Sequence, residues 1–138
     1  VHFLSKRRLF SQLLIGGINH KQMQLILDKV VGKQRISSVE VSWRGVPNPD
    51  LTTFWKSMQN FLDGTPNRAI ILGLQGYHDH WTVIEYITDR SIFLYDSSRI
   101  KRLPRARCTT VYATWTRKHL LLPAQTYFLS NESEDDEE

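Results

Sequence analysis

The sequence predicts an α+β fold, with N-terminal helices followed by an antiparallel β-sheet. Three observations carry this. Helical spacing of apolar residues dominates the chain up to Leu62. Runs of β-formers dominate from Ala69 onward. Two of those runs, HWTVIEYI and SIFLYD, are separated only by a short polar break near Thr88, Asp89 and Arg90, which reads as a hairpin.

Taken in order, LSKRRLFSQLL (4–14) reads as a helix, with Ser5 as its cap and Leu9, Leu13 and Phe10 at helical spacing. Gly16 and Gly17 stop it. Asn19 caps a second helix, whose Met23, Ile26, Leu27 and Val30 share one face, and Gly32 ends it. Residues 36–43, ISSVEVSW, alternate as a strand, and RGVPNPD is a loop. Asn48, Pro49 and Asp50 start a third helix. Its stripe is Leu51, Phe54, Trp55, Met58, Phe61 and Leu62, and residues 64–67 end it. AIILGL (69–74) is apolar without alternation, as a strand buried on both faces is. QGYHD is a loop, and the hairpin follows. Thr109–Trp115 is read as a further strand, and Leu120–Leu129 as another interrupted near Pro123.

The length of 138 residues suits one domain over 1–130 with a disordered acidic tail over 131–138. Hydrophobic content of 41% with 11% aromatics excludes a disordered chain. No apolar run reaches eighteen residues, so no membrane partner is expected. VHFLSKRRLF has neither the apolar stretch nor the cleavage site of a signal peptide. The single cysteine, Cys108, agrees with a reducing, cytoplasmic setting. Val1 rather than Met opens the chain, so either the start is processed or the chain is a piece of something longer.

The net charge of +4 is unevenly placed. The tail NESEDDEE holds six acids, which leaves the preceding body about +10. Arg99, Lys101, Arg102, Arg105 and Arg107 are the densest basic stretch, and nucleic-acid binding through it is one function class. No aromatic residues interleave with these charges and no nucleic-acid motif accompanies them, so a solvated loop is the plainer reading. Trp115, beside Arg117 and Lys118, is expected to be partly exposed, while Trp43, Trp55 and Trp81 are expected on strands or in a helix stripe.

Residues 76–98, GYHDHWTVIEYITDRSIFLYDSS, hold the candidate chemistry. A ladder folded about Thr88 puts His80 opposite Asp96 on one face. A two-residue loop at Asp89–Arg90 shifts that register by an odd number and breaks the pairing. A carboxylate beside an imidazole fixes the tautomer and raises the basicity of the free nitrogen, which then activates a thiol or hydroxyl. The same pair can also serve only to tie a hairpin.

The surroundings add to this. Leu62-Asp63-Gly64 ends an apolar helix, Ala69-Ile70-Ile71-Leu72 follows as a strand, then come His80-Trp81-Thr82-Val83-Ile84 and Tyr95-Asp96-Ser97. This order resembles the C-terminal half of papain-like cysteine peptidases, especially the bacteriocin-leader-processing group, over about residues 50–98. The resemblance implies thiol-dependent cleavage of peptide or amide bonds through a thioester. It implies His80 as general base and Asp96 as its orienting partner, with Gln75, Tyr77 and Trp81 near the groove and a peptide or protein as substrate. It also calls for a cysteine at the start of an N-terminal helix and a glutamine upstream of it. The first helix has no cysteine, Cys108 comes after both His80 and Asp96, and Gln75 sits in the loop before His80. Three readings stay open: a fragment whose cysteine lies upstream of Val1, a papain-like binding module without catalysis, or a relocated nucleophile at Cys108 or Ser5.

His78 and His80 flank Asp79 at a spacing that zinc can use, with His119 or Asp96 as a third ligand, yet no complete ligand set is evident. No metal and no cofactor is expected. Phosphate-binding glycine loops, dinucleotide fingerprints and paired-cysteine zinc motifs are missing from the sequence.

Overall fold

A computed structural model describes residues 38–64, 67–76, 80–95 and 101–130. The helices expected over 4–14 and 20–34 and the tail over 131–138 lie outside these residues. Within them the α+β expectation holds: one helix packs on a largely antiparallel sheet.

The strands are β1 (Ser38–Glu40), β2 (Arg68–Gly76), β3 (His80–Ile87), β4 (Ser91–Tyr95), β5 (Arg102–Pro104), β6 (Cys108–Thr109), β7 (His119–Leu121) and β8 (Tyr127–Ser130). The helix α1 spans Leu51–Leu62. The sheet order is β1-β8-β2-β3-β4-β5, with β7 also on β2 and β6 pairing β7 in parallel.

Asp50 caps α1 from outside it. Its carboxylate accepts the Thr53 N–H at 2.8 Å, and the bonds from Thr53 hold this carboxyl below the usual carboxylate range. The apolar stripe then buries Phe54, Trp55 and Met58 against Ile70, Leu72, Ile84, Ile92 and Leu94. Trp43, expected on a strand, lies in the turn after β1, where its ring meets Phe54 edge-on at 5.4 Å.

β2 is the centre of the sheet and is buried on both faces. Ile70, Leu72 and Leu74 face α1; Ala69 and Ile71 are buried on the other side. This is why AIILGL shows no alternation. One edge of β2 pairs with β3. The other is shared: β8 takes Arg68–Ile71 and β7 takes Leu74–Gly76. Between them Pro123–Gln125 form a 3-10 turn that crosses β2 at Gly73. The Leu122 N–H donates to the Gly73 carbonyl at 2.9 Å, and the Gly73 N–H donates to Thr126 Oγ1 at 3.3 Å. The interruption expected at Pro123 is therefore a strand change. Two other expectations fail. Residues 110–118 form a loop after the two-residue β6, and the basic stretch contributes a strand, β5, because Leu103 enters the core.

A side chain at position 73 has no room: a Cβ there would lie 2.9 Å from the Gln125 carbonyl oxygen. We expect Gly73→Ala to destabilise the fold by about 1–3 kcal/mol, as overpacking against backbone does. Urea denaturation followed by far-UV circular dichroism reads this as a lower midpoint; an unchanged midpoint would show that the crossing gives way without cost.

Candidate functional site

The β3–β4 hairpin is built from its turn outward. Thr88 N–H donates to the Ser91 carbonyl at 2.8 Å, and Thr88 Oγ1 accepts from the N–H groups of Arg90 and Ser91. The loop is thus the two-residue Asp89–Arg90 connection, the case in which an uninterrupted ladder breaks the His80–Asp96 arrangement. Ile87 pairs with Ile92 and Tyr86 with Phe93, the two rings stacked at 4.4 Å. The register then slips between Ile84 and Tyr86, and Ile84 pairs with Leu94 and Val83 with Tyr95. Glu85 is the extra residue of a β-bulge. Ile84 and Ile87, three apart, consequently both pack on the α1 side. The bulge cancels the odd shift made by the turn.

A register folded about Thr88 would have paired Val83 with Phe93. The observed partner is Tyr95, a displacement of two residues that keeps the parity of the two strands. His80 opens β3, and its backbone pairs with Leu74 of β2. Asp96, Tyr77, Ser5 and Arg99 lie outside the described residues.

Gln75 was expected in a loop; it belongs to β2, is exposed, and pairs with Leu120. Trp81 is 7% exposed, and its indole N–H donates to the Gln125 carbonyl at 2.8 Å across Gly73. It locks the crossing turn onto the sheet.

Cys108 is fully buried in the core, and its thiol donates to the Pro104 carbonyl at 3.3 Å. Burial pushes the thiol pKa from 9.0 up to about 12, against a smaller opposing pull from Arg117. A thiol held neutral this far above physiological pH is a poor nucleophile. Cys108 is a core residue, and its burial weighs against the relocated nucleophile that the sequence left open there.

The basic residues divide. Arg102 and Arg105 line an open cavity of about 760 Å³ at the β4–β5 edge, together with Arg90 and Arg117, whereas Lys101 and Arg107 are exposed outside its wall. The N-terminus of α1 and the loop after β6 complete the cavity. It lies beside the β3–β4 turn, at the opposite end of β3 from His80, so about 25 Å of strand separates the two. Arg90 and Arg117 lie outside the basic stretch in sequence, so spacing alone did not join them to it. Tyr112 and Trp115 were also missed as a pair; they are 67% and 90% exposed, on the loop whose Val111 and Arg117 line this cavity.

Among the described residues no group of three His, Cys, Asp or Glu side chains is placed to hold a metal, and no helix is long and apolar enough to cross a membrane. Comparison with family models, with curated proteins and with solved structures gave no match.

The raised thiol pKa gives a signed pH dependence. Unfolding frees the thiol to ionise from pH 9 upward, while the folded thiol stays protonated to about pH 12. The stabilisation is complete below pH 9 and is lost as pH rises through that window. Relative to Cys108→Ala, the native chain is expected to lose stability between pH 9 and pH 11 in paired urea titrations. Parallel curves for the two proteins across that range would refute a buried, neutral thiol.

Proposed function

We propose that this chain carries the base-and-orienter half of a papain-like cysteine-peptidase site, with His80 as the imidazole base and Asp96 as the carboxylate that orients it. One observation supports the reading above the others: the bulge at Glu85 restores the strand parity that the two-residue turn breaks. Without the bulge, even-numbered positions of β3 and β4 would fall on opposite faces. With it, Ile84 and Leu94 share the α1 face, and the ladder is in phase as far as Val83 and Tyr95, next to Asp96 in sequence.

The imidazole would take a proton from a thiol, and the thiolate would attack a peptide or amide carbonyl. The C–N bond would break as the imidazolium returns the proton to the departing amine, leaving a thioester for water or an acceptor amine to cleave. Asp96 would hold the ring in one tautomer and stabilise its charged form. The sulfur for this chemistry is not Cys108. The reading therefore assigns peptide cleavage or acyl transfer to a form of the protein that brings a cysteine to His80, and a non-catalytic binding role to the 138-residue chain by itself. A fully papain-like architecture is part of the same proposal.

The pairing has a direct spectroscopic consequence. A carboxylate within reach favours the imidazolium, so the His80 pKa is expected to fall by about one unit in Asp96→Asn. Titration of the ring resonances by NMR, assigned with His80→Gln, measures this. An identical His80 pKa in both proteins removes the pair and with it the peptidase reading.

A further inference from the structure

We propose that the arginine-lined cavity at the β4–β5 edge, with Tyr112 and Trp115 on the adjoining loop, binds single-stranded nucleic acid. The site lies at the far end of β3 from His80 and does not depend on the peptidase reading.

The cavity gathers cations from four places in the sequence: Arg90 from the hairpin turn, Arg102 from β5, Arg105 from the turn after it, and Arg117 from the loop before β7. Their hydrogen bonds go to neutral oxygens. Arg102 donates to Ser91 Oγ at 3.1 Å, Arg105 to the Asp89 carbonyl and Thr52 Oγ1, and Arg117 to the Cys108 carbonyl. The Arg90 side chain has no partner among the described residues. Two carboxylates also line the cavity, but both are engaged. Asp50 caps α1, and Asp89 accepts from Gln59 at 3.1 Å. Four guanidinium groups against two occupied carboxylates leave the wall positive and able to accept phosphates.

The adjoining loop supplies the second element. Trp115 is 90% exposed and Tyr112 67%, the most exposed aromatic rings among the described residues. Solvating such large rings is unfavourable, and a site that stacks planar groups would relieve it. The loop is held in place rather than loose. Thr110 Oγ1 donates to the Pro49 carbonyl at 2.8 Å, Asn48 donates to the Thr110 carbonyl, and the Thr114 N–H donates to the Arg117 carbonyl at 2.8 Å. Val111 and Arg117 of this loop form part of the cavity wall, which puts Tyr112 one residue and Trp115 two residues along the chain from wall positions. Rings beside a positive groove are the arrangement that unpaired bases and their phosphates require. An acidic peptide would use the cations and leave the rings idle. Duplex would present its phosphates with its base faces already stacked.

The test uses the full chain and fluorescein-labelled oligothymidine and oligouridine of about twelve nucleotides, followed by anisotropy. Binding is expected at about 50 mM salt and should weaken about 20-fold by about 200 mM, as release of counterions from three phosphate contacts on a single strand implies. Trp115→Ala is expected to weaken binding about tenfold, with Trp115→Phe restoring most of it. Arg90→Gln with Arg102→Gln should flatten the salt dependence. Tighter binding of one oligomer identifies DNA or RNA as the ligand. The proposal is overturned if neither oligomer binds at low salt, or if Trp115→Ala and the double arginine variant both bind as the native chain does. Equal competition by a polyglutamate peptide or by duplex of matching length would also overturn it.

Discussion

Trp55 donates its indole N–H to the Thr88 carbonyl at 2.8 Å from inside the core, where it is fully buried. A buried donor left without its acceptor costs about 1–3 kcal/mol, so this bond fixes where the hairpin turns relative to α1. Thr88 in turn organises the two-residue loop through its own hydroxyl and N–H. Ile84 and Ile87 are three apart, so both reach the core only because the bulge at Glu85 lies between them, and the same bulge offsets the odd register set by the loop. The phase of β3 against β4 is thus inherited from one indole. The same ring carries Arg105 on its outer side, 5.2 Å from the ring centroid, and Arg105 bridges the Asp89 carbonyl and Thr52. The cationic cavity and the hairpin therefore share a support, although their candidate chemistries lie at opposite ends of β3.

A second support acts at the middle of the sheet. β2 is too long for one partner on its outer edge, so β7 and β8 divide it and the chain must pass over its face between them. Only a residue without a Cβ permits that passage, and Trp81 clamps it from the neighbouring strand. This assigns Trp81 a packing role that the family resemblance had placed near a groove. It also explains why the tryptophan following His80 is buried: its partner is backbone of the crossing turn, which no ligand displaces without opening the sheet.

The sequence was most legible where one local rule decided the outcome. Helix α1, β2, the β3–β4 hairpin and the break at Pro123 all follow from apolar spacing, caps and turn residues. Legibility failed where distant segments competed. The basic stretch reads as a solvated loop because its single core residue, Leu103, is outnumbered by arginines, yet pairing with β4 makes it a strand. Thr109–Trp115 read as a strand because Val111, Tyr112 and Trp115 are β-formers, but among the described residues the pairing with β7 stops at Thr109 and the rings stay in solvent. The bulge at Glu85 left no mark in the sequence, since a single extra residue leaves composition and spacing almost unchanged. Convergence of Arg90 and Arg117 on Arg102 and Arg105 was equally invisible, being a property of the fold.

The fate of Cys108 bears on how the two proposals relate. Cys108 is fully buried among core residues, and burial holds its thiol protonated. Under the peptidase proposal, the nucleophile at His80 comes from a cysteine other than Cys108. The cavity at the other end of β3 is lined by four arginines, and the binding proposed there needs no nucleophile at all. If both proposals hold, salt concentration is the variable that reads the cavity and pH the variable that reads His80. The two variables separate the two sites in a single protein without altering a residue.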